Sequence, residues 1–221
     1  MELTGGELVA RVLRAAGVGH VFTLCGGHIL PIYDGCLTEG LRVIDVRHEQ
    51  AAAHAADAYA RLTRNVGVAL VTAGPGVTDA VTGVANAHAA RSPLLLIGGA
   101  APLGLRGLGA LQEMEQVGLL RPITKGSWSV AETRQIPEVL TTAIRTALAG
   151  RPGPVFVEIP VDLLLNRVED RLAPIPTAYV HRPRPAVEAE ALARLLALLA
   201  AAERPVVMAG GSIWWDDAAE A

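Results

Sequence analysis

Apolar residues over the first three quarters of the chain fall in short runs that alternate with longer amphipathic or alanine-rich stretches. The apolar runs predict strands at residues 20–24, 41–46, 66–71, 94–98 and 153–159. The stretches between them have helical spacing or contain few residues that break helices. Strand–helix alternation of this kind predicts an α/β domain, which we interpret as a six-stranded parallel sheet with helices on both faces.

Local signals mark the helices. Thr4 can cap the first helix with Glu7 at the capping-box position, and Gly17 ends it. Residues 100–126 are rich in Gly and Pro and predict a loop-rich excursion. The further predicted helices lie at 29–38, after Glu49, after Gly76, near 111–120 and at 135–149.

The C-terminal part has a different pattern. Pro174, Pro176, Pro183 and Pro185 predict a stiff, extended linker. Residues 187–202 then predict a helix, and 204–211 a strand that ends in a Gly turn. One helix and one strand cannot bury each other's apolar faces. We therefore expect a first domain at 1–170, a linker at 171–186 and the incomplete start of a second α/β domain at 187–221.

Composition narrows the functional classes. The formal net charge of −3 gives no electrostatic argument for binding nucleic acid or an anionic membrane. Apolar runs are interrupted well before 18 residues, and the N-terminus lacks a signal-peptide pattern. Cys25 and Cys36 can form a disulfide, but in a chain of this kind two cysteines are more often free thiols. A cytoplasmic location is expected.

Glu49 falls where a predicted strand gives way to a helix. In open α/β sheets, ligands bind at this carboxyl edge of the strands. The alternative is a carboxylate placed near a helix N-terminus by the macrodipole. Gly26–Gly27 and Gly74-Pro75-Gly76 also follow strands, where glycine lets the backbone approach a flat ring or permits tight packing. The Gly-Pro-Gly turn lacks the Lys-Ser/Thr of a phosphate loop.

Five short sequence motifs together resemble those of a known protein family. They are Cys25-Gly26-Gly27-His28, Arg47-His48-Glu49-Gln50, Val71-Thr72-Ala73-Gly74-Pro75-Gly76, the run at 93–99 and the run at 150–160. In this order and spacing, from about Glu7 onward, the chain resembles the N-terminal half of the thiamine-diphosphate enzymes of the acetolactate synthase family. The resemblance implies 2-oxo acid decarboxylation and carboligation through a carbanion at C2 of the cofactor.

The resemblance also implies roles for individual residues. Glu49 matches the catalytic acid that is held against N1′ of the cofactor's aminopyrimidine ring. Arg151 and Gly210–Gly211 match positions that contact FAD, so FAD is possible. Mg²⁺ and the diphosphate belong to a further domain, whose Gly-Asp-Gly…Asn signature does not occur in this sequence. The residues implied to bind the cofactor are Gly26, Gly27, Glu49, Thr72, Gly74, Gly76 and Arg151.

The substrate side departs from the family pattern. Gln112 and Lys125 match substrate-channel residues, with exposed polar residues as the alternative. His28 and Leu111 replace the usual Ala and Phe, Cys25 replaces Pro, and Asp79 replaces Asn. These departures put pyruvate in doubt and leave 2-hydroxyacyl-CoA cleavage or decarboxylation of another 2-oxo acid open. His48, His54 and His88 lack metal-ligand spacing and are interpreted as helix-face residues, so no metal site is expected.

The family builds each active site between two chains. We therefore expect a homo-oligomer, or a partner subunit that supplies the diphosphate domain, and a chain that is inactive alone. A different class of hypothesis is a non-catalytic domain that only pairs with a partner subunit. Whether a diphosphate domain exists, on this polypeptide or another, separates the two.

Overall fold

The computed structural model describes residues 2–176 and 186–218. The chain divides into two compact units, residues 1–181 and 182–221, and each is described by itself. Residues 177–185 of the predicted linker, with Pro183 and Pro185, lie outside the described residues. Within the described ranges, no helix is long and apolar enough to cross a membrane.

The first unit is built on one parallel sheet. Its strands are, in chain order, β1 (Glu2–Thr4), β2 (His20–Thr23), β3 (Arg42–Asp45), β4 (Gly67–Val71), β5 (Leu94–Ala100), β6 (Ser127–Ser129), β7 (Val155–Pro160) and β8 (Arg167–Glu169). Six of them form the sheet in the order β3-β2-β4-β5-β7-β6, with every neighbouring pair parallel. The predicted fold class is confirmed. The sequence pattern does not reveal β1 and β8, which form a separate antiparallel pair.

The helices follow the strands closely. In the first unit they are α1 (Gly5–Ala15), α2 (Leu30–Thr38), α3 (Glu49–Thr63), α4 (Pro75–Ala90), α5 (Gln116–Leu120), α6 (Ile136–Leu148) and α7 (Val161–Leu165). The predicted capping box is present, since the Glu7 backbone N–H donates to Thr4 Oγ1 at 3.1 Å and the Thr4 N–H donates to Glu7 Oε2 at 2.7 Å. Gly17, at φ +75°, follows the end of α1.

Alternate residues of the central strands belong to two hydrophobic cores, because successive side chains of a strand point to opposite faces. In β4, Val68 and Leu70 pack with α1, α2 and α6, whereas Ala69 and Val71 pack with α3 and α4. β5 and β7 alternate in the same way. The alanines of α3 let it lie close to α4, and a Cβ on Gly83 would come within 2.4 Å of the Ala53 Cβ. Helices therefore cover both faces of the sheet.

One strand of the sheet falls outside the predicted apolar runs. β6 is Ser-Trp-Ser, pairs with β7 and lies at the edge of the sheet. An edge strand is covered less completely than a central one, so it has no need of a continuous apolar run. The sequence therefore locates five strands of the six.

The second unit contains α8 (Ala189–Ala201) and α9 (Ser212–Trp215). The strand predicted at 204–211 is wrong, because the described residues there form no strand. Val206, Val207 and Met208 are exposed, at 93%, 78% and 95%. A strand needs a neighbour for its backbone hydrogen bonds, and the described part of this unit offers none.

Candidate active site

The chain reverses direction across the sheet between β2 and β4. From β2 the chain moves outward to β3, then returns to the other side of β2 to form β4. The helices after β2 and β4 thus leave in opposite directions and open a crevice at their carboxyl ends. Ligands of open α/β sheets bind at such switch points. The Gly26–Gly27 and Gly74-Pro75-Gly76 turns stand on its two sides.

Both turns are closely packed against neighbouring segments. A Cβ on Gly26 would lie 2.3 Å from the Thr72 Cβ, so the backbone after β2 packs directly on the side chain that follows β4. Gly74 adopts φ +60°, and a Cβ there would lie 2.5 Å from the Gln112 carbonyl oxygen. Tight packing within the chain thus requires Gly26 and Gly74. Gly27 differs, since a Cβ there would meet nothing within 4 Å in the part of the chain that the structure describes.

Glu49 reaches the same crevice from β3. It is the first residue of α3, whose N-cap His48 accepts the Gln50 N–H on its own ring nitrogen at 3.1 Å. Glu49 is only 8% exposed, yet no hydrogen bond to its carboxylate occurs among residues 2–176 and 186–218. A Cβ on Gly76 would lie 3.5 Å from Glu49 Oε1, so this glycine keeps space open beside the carboxylate.

Three potential metal ligands lie near one another at this point. One ligand atom each of His48, Glu49 and Asp79 falls within 4.8 Å of the others. Spacing along the chain does not reveal this group, because Asp79 comes from α4. His48 and Asp79 are exposed, and His48 Nδ1 accepts the Gln50 N–H that caps α3. We assign no metal to the group.

His28 and Gln112 line the opposite side of the crevice. His28 Nδ1 lies 3.1 Å from Thr72 Oγ1, and Thr72 Oγ1 lies 3.4 Å from Gln112 Oε1. Burial lowers the pKa of His28 below 6.5, an effect that a hydrogen bond to the Leu111 backbone partly opposes. The imidazole is therefore neutral at neutral pH. The Leu111 side chain itself is 77% exposed.

A polar cavity of about 370 Å³ adjoins Gln112. Its wall includes Glu158, which is 6% exposed and accepts hydrogen bonds from Arg106 at 2.7 Å, Ser129 at 2.8 Å and Gln116 at 2.8 Å. The Gln116 side chain also accepts the Gly74 N–H at 2.8 Å. Sequence reasoning missed this network. Its one signal is Glu158 itself, a carboxylate inside the otherwise apolar run of β7.

Lys125 and Arg151 are not brought to this site. They precede β6 and β7, and therefore lie at the amino edge of the sheet. Lys125 Nζ donates to the Thr146 and Ala149 carbonyl oxygens, the latter at 2.7 Å, and so caps the C-terminus of α6. Arg151 lies exposed in the turn before β7. Within this chain, neither residue shares the crevice with Glu49.

The two cysteines do not form a disulfide. Cys25 is exposed in the loop that follows β2. Cys36 is buried in α2, where burial raises its pKa to about 12. Both are free thiols, and Cys36 stays protonated at neutral pH.

The sequence of the first unit matches a family profile. Residues 3–119 match the family described as thiamine pyrophosphate enzyme, N-terminal TPP binding domain. The match covers more than half of the chain and contains the whole crevice. The chain belongs to this family. The predicted relation to thiamine-diphosphate enzymes is confirmed, and so is the expectation of an enzyme family.

Relatives within this family carry two different activities in their names. The 2-hydroxyacyl-CoA lyase 2 of Mus musculus is 58% identical over 160 residues, 72% of this chain and 25% of that protein. The Homo sapiens protein of the same name is 56% identical over the same shares. The acetolactate synthase large subunit IlvG of Mycobacterium tuberculosis is 41% identical over 214 residues, 96% of this chain and 39% of that protein. The chain thus spans between a quarter and two fifths of these relatives.

Proposed function

We propose that this chain forms the pyrimidine half of a thiamine-diphosphate site and that Glu49 is its catalytic acid. The observation that carries the proposal is Glu49, a residue that is 8% exposed at the switch point and whose carboxylate has no protein hydrogen bond among the described residues. The fold leaves this carboxylate free to bond a ligand, and a ring nitrogen that shares a proton with it would supply the missing partner.

The surroundings of Glu49 fit an aminopyrimidine ring. Gly76 leaves room beside the carboxylate, and Gly27 leaves open space on the other wall. The neutral His28, Thr72 and Gln112 offer hydrogen-bonding groups without charge. When bound, thiamine diphosphate supplies a carbon nucleophile at C2 of its thiazolium ring. Glu49 would hold a proton at N1′, and the two turns would fix the ring against it.

Replacement of Glu49 tests this role. Glu49→Gln keeps the shape of the side chain but removes the exchangeable acid proton. In an enzyme that joins this domain to a diphosphate-binding domain, C2–H exchange of bound cofactor should slow by about 10²–10⁴-fold, the usual contribution of general acid–base assistance. NMR of the quenched cofactor measures the exchange rate. Exchange as fast as in the parent would return Glu49 to the role of a helix-terminal carboxylate.

For the substrate, we favour cleavage of a 2-hydroxyacyl-CoA over acetolactate formation. The relatives named 2-hydroxyacyl-CoA lyase 2 share 56–58% identity with this chain, against 41% for the acetolactate synthase. Leu111 and His28, which depart from the acetolactate synthase pattern, support the same choice. Acetolactate synthesis from pyruvate remains the second candidate because that match extends over 96% of the chain. Assays of the assembled enzyme with both substrates separate the two.

Binding of the diphosphate, Mg²⁺ and FAD needs protein groups beyond those of the crevice. A second subunit or a further domain would supply the Mg²⁺–diphosphate site, so we propose an oligomeric enzyme whose active sites are completed by groups outside the described residues. FAD remains a prediction from Arg151 and Gly210–Gly211, which belong to different units of the chain. The cytoplasmic location also remains a prediction. A non-catalytic pairing domain would account for the fold but not for the unpartnered Glu49 carboxylate.

A further inference from the structure

The buried side chain of Gln116 joins three strand ends at the carboxyl edge of the sheet. Gln116 is 1% exposed and begins α5. Its Nε2 donates to the Gly99 carbonyl oxygen at 3.1 Å, at the end of β5, and to Glu158 Oε2 at 2.8 Å, in β7. Its Oε1 accepts the Gly74 N–H at 2.8 Å, in the turn after β4.

These partners fix the orientation of the amide. An amide offers donors only on nitrogen and acceptors only on oxygen. Turning it over would set NH₂ against the Gly74 N–H, and oxygen against both the Gly99 carbonyl and the Glu158 carboxylate. Glu158 is itself held by Arg106 and Ser129. The side chain of Gln116 therefore has one fully bonded placement.

The Gly74 turn depends on this placement. Gly74 has φ +60° and ψ −109°, and Pro75, which follows it, has no N–H to offer. The Gly76, Val77 and Thr78 N–H groups are bonded within the turn and the first turn of α4. The Gly74 N–H is left for a side chain, and Gln116 accepts it from behind the turn. The front of the same turn carries Gly76, which faces the Glu49 carboxylate.

Gln116 also supports the other wall of the crevice. A Cβ on Gly99 would lie 2.4 Å from the His28 Cβ, so His28 packs directly on the residue whose carbonyl Gln116 binds. One amide thus holds both the Gly74 turn and the strand end on which His28 packs.

We propose that Gln116 is a positioning residue, which with Glu158 sets the Gly74 turn at the distance from Glu49 that the pyrimidine ring requires. This proposal rests on the proposed function for its consequence in catalysis. The link from Gln116 to Gly74 can be measured without any cofactor. Failure of the Gln116 proposal is therefore distinguishable from failure of the proposed function.

The first experiment measures amide hydrogen exchange of the ¹⁵N-labelled chain by NMR. Gln116→Met keeps the length of the side chain and removes its hydrogen bonds, so the Gly74 amide should exchange about tenfold faster, the equivalent of one lost hydrogen bond. Thr141→Val is the matched control, since Thr141 is also buried but its hydroxyl donates to the Pro137 carbonyl oxygen within α6. Unchanged Gly74 exchange in Gln116→Met, or an equal change in the control, would overturn the proposal.

A rescue variant separates positioning from packing. Gln116→Glu keeps an acceptor for the Gly74 N–H but places a second carboxyl group beside Glu158, with Arg106, Glu113 and Glu115 on the same cavity wall. Two carboxyl groups this close share one proton at acidic pH and repel when both ionise. Gly74 protection should therefore be near that of the parent at acidic pH and fall as pH rises. Protection in Gln116→Glu that is low at every pH would contradict the model of a single fixed acceptor.

The consequence for catalysis is read in the assembled enzyme. At saturating cofactor, Gln116→Met should slow C2–H exchange about tenfold, in step with the loss at Gly74, and Thr141→Val should leave it within about twofold of the parent. Faster Gly74 amide exchange with unchanged C2–H exchange would make Gln116 a purely structural residue. A parent enzyme without C2–H exchange would instead refute the proposed function and leave the first experiment intact.

Discussion

The two edges of the parallel sheet carry similar residues but use them differently. At the carboxyl edge, residues from loops after β2, β3, β4 and β5 converge, and the Glu49 carboxylate is left without a protein hydrogen bond in the described ranges. At the amino edge, Lys125 matches a substrate-channel residue of the acetolactate synthase family, but its ammonium group binds the last carbonyls of α6. A polar group satisfied by its own fold stabilises that fold. One that the fold leaves unsatisfied is available to a ligand.

Gly26 and Gly27 differ in the same way, since the fold packs against Gly26 but leaves space at Gly27. Replacement of Gly26 gives the largest expected change in stability. Gly26→Ala would force a Cβ to within 2.3 Å of Thr72, so it should lower the free energy of unfolding by about 1–3 kcal/mol. Gly27→Ala is the matched control, because its Cβ meets nothing within 4 Å among the residues that the structure describes. Its stability should stay within about 0.5 kcal/mol of the parent. Urea denaturation measures both, and equal losses would mean that the two turns are not packed as described.

Lys125 tests the amino edge. Lys125→Met should remove the cation at the C-terminus of α6 and lower the free energy of unfolding by about 0.3–1 kcal/mol, whereas Lys125→Arg retains most of it. C2–H exchange in the assembled enzyme should not change in either variant. A loss of exchange with little loss of stability would return Lys125 to the substrate channel and erase the difference between the edges.

The smallest expected effect is a pH dependence that arises at the carboxyl edge. Because the pKa of His28 is lowered from 6.5 in the folded state, the unfolded chain binds more protons as pH falls below that value. The contribution of His28 to stability is therefore complete above about pH 6.5 and declines at lower pH. Urea denaturation at pH 7.5 and at pH 5.5, for example, should show a smaller decline in His28→Gln than in the parent. An identical decline would show that His28 is not the group responsible.

Much of the carboxyl edge follows from local sequence. Glu49 stands between an apolar run and an alanine-rich helix, and the Gly turns follow β-branched runs. Each strand or helix, and the candidate site residue next to it, can therefore be located from the sequence alone. Strand direction alone also separates Lys125 and Arg151 from Glu49, since they precede strands while Glu49 follows one. Matching a family motif residue by residue does not take this direction into account.

Other features depend on long-range contacts and have no local signal. β6 is a strand because β7 offers it an edge, whereas the apolar residues 206–208 form none among the described residues because no strand lies beside them. Gln116 has an exposed-looking sequence context between Glu115 and Gly118, yet it is buried by groups that lie 17 and 42 residues away in sequence. Only the topology of the sheet brings these groups together.

The most direct test of the account is an NMR titration of the ¹⁵N-labelled chain with thiamine diphosphate and Mg²⁺ up to millimolar concentration. A site that holds only the pyrimidine half should bind weakly, but it should shift the amide signals of Gly26, Thr72 and Gly76 and leave those of Lys125 and Arg151 in place. Glu49→Gln should reduce these shifts. Shifts confined to the amino edge, or equal in the parent and Glu49→Gln, would contradict the assignment of the cofactor to the carboxyl edge.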